Sequence, residues 1–143
     1  MNIDLRDSTT LLEAGKSIEE ISISYSNYNM NNFKRYEIDL KNNALWINND
    51  TKDRSSPLTF VKNIDCKNID NFIDNSEKYG FALWKGYYED ERICDGTTWK
   101  IFIRFSDATS QFSTGTCEGR KKPENWTEMA VAFKELTGED ILG

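Results

Sequence analysis

From Glu20 to Ile47 the chain alternates apolar and polar positions with the period of strands that bury one face. In the first run Ile21, Ile23 and Tyr25 share one side, and Glu20, Ser22 and Ser24 share the other. The asparagine-rich stretch 27–32 is turn chemistry, because asparagine tolerates left-handed backbone and bonds its own chain. A second run places Tyr36, Ile38 and Leu40 inward, with Arg35, Glu37 and Asp39 outward. Lys41-Asn42-Asn43 predicts a short turn into a third strand, Ala44 to Ile47, and these three strands form an antiparallel meander. The polar stretch 48–57 reads as a loop, and Leu58 to Ile64 as a fourth strand with Leu58, Phe60 and Lys62 on one side.

The period then changes. Asp65 fits a helix N-cap, Ile69, Phe72, Ile73 and Ser76 fall on one helical face, and Gly80 ends the run. The apolar segment Phe81 to Tyr88 predicts another strand against that helix. Next, Trp99, Ile101, Ile103 and Phe105 alternate with Lys100, Phe102, Arg104 and Ser106, and a return strand closes near Gly115. A two-residue turn at Asp107-Ala108 would set Ile103 opposite Phe112 and Ile101 opposite Thr114. A longer loop is the alternative, since no Asn-Gly pair pins the turn. The last helix is predicted over Pro123 to Thr137, with Pro123 in its first turn, Asn125 and Glu128 as a capping box, and Gly138 as the stop. Its apolar face is Trp126, Met129, Ala130, Phe133 and Leu136. Near the start, Leu11, Leu12 and Ala14 suggest a short helix. The order predicts one α+β domain over residues 1–143, an antiparallel sheet of about five or six strands with two main helices packed on one face.

Composition sharpens this picture. Four Trp, six Tyr and eight Phe carry large buried areas, so a disordered chain is excluded. The formal charge of −6 argues against a nucleic-acid surface, which needs a basic stripe to displace counterions. The chain has no histidine, which removes Ser-His-Asp and Cys-His catalysis and every imidazole metal ligand. Cys66, Cys94 and Cys117 are widely spaced, so no zinc site is expected, and neither metal nor cofactor is called for. No basic start precedes an apolar run, and no stretch reaches the length of a membrane span. The expectation is a cytoplasmic chain with no membrane partner.

Asp95-Gly96, Trp99, Ile101 and Ile103, then Gly115, Pro123, Asn125 and Trp126, form a layout that covers roughly the C-terminal third. It resembles a pattern in small uncharacterised proteins of low-GC Gram-positive bacteria. That resemblance implies a shared fold and brings no activity with it.

Candidate chemistry is sparse. Between strand and helix, Gly119, Arg120, Lys121 and Lys122 could bind an anion through cations and free N–H groups at a helix start. The glycine spacing is not that of a P-loop. Cys94 and Cys117 flank the predicted hairpin, where they could pair or remain two small hydrophobes. The carboxylates Asp65, Asp70, Asp74, Glu89, Asp90, Glu91 and Asp95 could supply an acid and a base, but surface solvation explains them equally well. The aromatic surplus says more. Trp46 and Phe102 fall opposite the inward sets; they are core if both faces of the sheet are covered, and an exposed patch if one is open. The core assignment is preferred. With Trp84, Tyr87 and Tyr88 they form the candidate interaction surface. The expected function is a non-enzymatic binding domain with another protein as partner, in an accessory, immunity-like or inhibitor role. The alternative is a small carboxylate-based hydrolase or ligand-binding enzyme.

Overall fold

A computed structural model of the chain describes residues 16–27, 32–84, 86–88, 96–117 and 121–142. Strands β1 (Ile18–Ser26), β2 (Phe33–Asp39), β3 (Ala44–Asn48) and β4 (Leu58–Asn63) come first. Helix α1 (Cys66–Lys78) and a 3₁₀ turn (Phe81–Leu83) follow, then β5 (Tyr87–Tyr88), β6 (Thr98–Phe105), β7 (Ser110–Thr116) and helix α2 (Trp126–Thr137). Among the described residues the strands form one seven-stranded sheet in the order β4-β3-β2-β1-β6-β7-β5. Pairing is antiparallel except between β5 and β7. The fold is the α+β class that the alternating pattern predicts, with β5 as a small addition at one edge. The suggested helix at Leu11–Ala14, the 28–31 turn and Cys94 lie outside the described residues.

One face of the sheet meets both helices. Ile21 and Ile23 of β1, Ile38 of β2, Leu45 of β3 and Trp99, Ile101 and Ile103 of β6 are buried in a core with Phe72 of α1 and Met129, Phe133 and Leu136 of α2. Phe72 lies 4.8 Å from Phe133 and 6.3 Å from Phe81, ring centre to ring centre, and Phe81 lies 5.4 Å from Phe133. Burying large rings at these spacings combines area with edge-on aromatic contacts, so this triangle locks α1 to α2. The chain end joins in: Ile141 and Leu142 are buried, and the Tyr25 hydroxyl donates to the Ile141 carbonyl.

The helix ends follow local chemistry. Asp65 Oδ1 accepts from the Lys67 N–H at 3.0 Å, as expected of an N-cap. Gly138 closes α2 at φ 81, with its N–H on the Lys134 carbonyl at 2.7 Å. The capping box at Asn125 does not form. Asn125 sits in a left-handed conformation at φ 65 and makes no side-chain cap. Its Nδ2 instead donates to the Tyr79 carbonyl at 3.3 Å, tying the start of α2 to the end of α1. Pro123 precedes the helix rather than opening it, and its carbonyl accepts from Trp126 N–H.

The strand predicted over Phe81 to Tyr88 is also corrected. Phe81 and Trp84, three positions apart, both turn inward while Leu83 is exposed. That spacing suits a 3₁₀ turn, not the alternation of a strand. Only Tyr87 and Tyr88 reach the sheet.

The aromatic-glycine pattern at the C-terminal third has a packing cause. Trp99 and Gly115 are direct partners across β6 and β7. The Trp99 indole lies over Gly115 so closely that a Cβ there would fall 2.5 Å from the ring. Trp99 then meets Trp126 at 4.9 Å, and Trp126 stacks on Trp84 at 5.7 Å. Glycine at 115 is therefore the space in which the tryptophan lies. Among the described residues, the Trp99 Nε1–H is the one buried side-chain polar atom with no hydrogen-bond acceptor.

Candidate functional site on the open face of the sheet

The β6–β7 turn decides what the other face shows. Ala108 N–H donates to the Phe105 carbonyl at 3.0 Å, and Phe105 N–H to the Thr109 carbonyl at 2.9 Å. The loop therefore holds three residues, Ser106, Asp107 and Ala108, with Ala108 left-handed at φ 72. Asp107 supports it by accepting from the Thr109 N–H at 3.0 Å. The two-residue turn is thus corrected by one position: Ile103 faces Gln111, Ile101 faces Ser113, and Phe102 faces Phe112. A one-residue shift moves side chains between faces. Phe112 joins Phe102 on the outer side, where they are 46% and 44% exposed.

Following the register across the sheet gives one continuous row. Phe60 pairs with Trp46, Trp46 with Glu37, Glu37 with Ser22, Ser22 with Phe102 and Phe102 with Phe112. Two aromatic pairs thus flank a central Glu–Ser pair, over six strands. Phe60 is 45% exposed, and Trp46 meets it edge-on at 5.5 Å. The core assignment of Trp46 and Phe102 is overturned: Phe102 is exposed and Trp46 half-buried, because both helices pack on the opposite face.

The alternation of β2 predicts that Glu37 points outward. It is outward yet buried, between its cross-strand neighbours Trp46 and Ser22. Arg35 donates to its Oε2 at 2.6 Å, and Ser22 supplies a second hydrogen bond. Burial raises the Glu37 pKa above the ordinary 4.5, outweighing the Arg35 and Ser22 bonds that lower it. Glu20, Glu37 and Asp39 line an open hollow of about 360 Å³ with Trp46 and Leu58. Arg104 bonds Glu20 at 2.8 Å and Glu19 at 3.1 Å, from the β6 side. Asp39 accepts two bonds from Asn42, each 2.9 Å.

The other sequence candidates are dispersed. Trp84 is buried: it stacks on Trp126, and its Nε1–H donates to the Glu124 carbonyl at 3.1 Å, so it belongs to the core rather than to a surface. Tyr87 is 73% exposed at the far edge strand, and Tyr88 is half-buried with its ring 6.0 Å from Trp99. Gly119 and Arg120 lie outside the described residues. Lys121 is exposed, whereas Lys122 donates to the Cys117 carbonyl at 3.0 Å and sits over the Trp126 ring at 5.4 Å. The Pro123–Asn125 turn lies between these lysines and the first turn of α2. Asp65, Asp70 and Asp74 are exposed on or beside α1; Glu89, Asp90, Glu91 and Asp95 lie outside the described residues.

Glu20, Glu37 and Asp39 come together as a group only in the fold. Their alternation shows in the sequence, but their neighbours on β3 and β6 depend on register. Among the described residues no set of three or more Cys, Asp or Glu side chains is arranged to hold a metal ion. No described helix is long and apolar enough to cross a membrane. Neither a scan against protein-family models nor a search of curated proteins returned a match to this chain.

Proposed function

We propose that the chain is a non-enzymatic interaction domain that receives another protein on the open face of its sheet, in an accessory, immunity-like or inhibitor role. The carrying observation is the row Phe60–Trp46–Glu37–Ser22–Phe102–Phe112, which puts four large rings on a face opposite both helices. Folding requires only one apolar face of an antiparallel sheet. Aromatic residues are enriched at protein interfaces, and tryptophan is among the residues that dominate their binding energy.

Paired affinity capture from native lysate tests this reading. A Phe102→Ser/Phe112→Ser variant is expected to lose a partner that the wild type and a Val131→Ser control retain, Val131 being exposed on α2. Equal recovery of every partner by all three proteins would overturn it.

A second reading, carboxylate-based hydrolysis, draws on the raised pKa of Glu37 beside Glu20 and Asp39. The short Arg35 bond occupies that carboxylate as an ion pair within the sheet, which favours the binding reading.

A further inference from the structure

Resting on that reading, we infer that the protein received by the open face is basic and places an arginine or lysine side chain in the hollow formed by Glu20, Glu37, Asp39, Trp46 and Leu58. The charge of this patch carries the argument. Its lining holds three carboxylates and no cation. The chain's own guanidinium groups reach two of these acids from the flanks: Arg35 bonds Glu37 and Arg104 bonds Glu20. The contacts of Asp39 are to the neutral Asn42 backbone and side chain. The hollow thus keeps a net negative charge at a point where the sheet excludes part of the solvent, and there a cation gains more than it would in open water. Trp46 forms one wall, so an incoming guanidinium or ammonium meets an indole as well as carboxylates. At about 360 Å³ the hollow accommodates such a head group with part of its stem. Phe102 and Phe112, farther along the same row, offer apolar contact to the surface that surrounds the inserted side chain. The formal charge of −6 on the whole chain adds long-range attraction of the same sign.

The test uses the full chain and a blocked Arg-Gly-Arg peptide, followed by the Trp46 indole N–H and the Glu37 and Asp39 amides in NMR spectra. The peptide is expected to shift these signals saturably. Asp39→Asn/Glu37→Gln should weaken that response about fivefold, and raising the salt should weaken it further. A citrulline version of the peptide should leave the signals in place. Equal shifts with citrulline, or none at Trp46 with arginine, would overturn the inference.

The docking reading fails separately. If Phe102→Ser/Phe112→Ser loses a captured partner while Asp39→Asn/Glu37→Gln keeps it at every salt concentration, the face binds protein but the partner is not selected by its cation. Sedimentation covers another occupant. A concentration-dependent dimer abolished by Phe102→Ser would make a second copy the occupant and would also overturn the basic-partner inference.

Discussion

The two faces of this sheet share the same strands and the same backbone hydrogen bonds, yet they are built to different ends. The inner face places Ile21, Ile23, Ile38, Leu45, Trp99, Ile101 and Ile103 beneath two helices, and these side chains are all buried. The outer face carries rings of comparable size, three of them almost half exposed, around a buried glutamate. Stability accounts for the first arrangement. It leaves the second unexplained, since exposed rings contribute little to folding. The difference shows that aromatic content in this chain answers two separate demands, and only one of them is the core.

Substitutions on the two faces should have unequal effects. Phe133→Ala removes the hub of the inner aromatic triangle and should cost about 3–5 kcal/mol in urea unfolding. Gly115→Ala drives a methyl group into the Trp99 indole, with an expected loss of about 1–3 kcal/mol read the same way. On the other face, Phe102→Ser should cost only about 0.5 kcal/mol, most of it the cross-strand pair with Phe112. A cost matching that of Phe133→Ala would make the outer face a second core and end the comparison. The smallest effect concerns pH. Because burial raises the Glu37 pKa, its contribution to stability is fully present below 4.5 and is lost as pH rises through the folded-state value. Thermal unfolding across that window should therefore show Glu37→Gln gaining on the wild type as pH rises. A flat difference between the two would show that burial does not perturb Glu37.

Much of the inner face was legible because its signals are local. The period of two in Ile21 and Ile23, the helical spacing of Met129, Phe133 and Leu136, and the Asp65 cap each act over a few residues. Phe81 to Trp84 reads as a strand because a short apolar run looks alike in a strand and in a tight helical turn. Asn125 suits a cap by residue type, but its left-handed backbone is not the extended conformation a cap takes, and its side chain bonds Tyr79. The outer site was scarcely legible. Glu37 becomes buried only through Trp46 and Ser22, which lie on two other strands. The Phe102–Phe112 pair exists only if the turn between them has three residues instead of two.

That turn has a consequence for anyone aligning related chains. Ser106, Asp107 and Ala108 act as a spacer, and their number, more than their identity, sets which β7 residues see solvent. A related chain one residue shorter there would present the even-numbered and odd-numbered positions of β7 on exchanged sides. An alignment that absorbs the difference as a gap would then equate a solvent-facing ring with an interior position, in two proteins of the same outline.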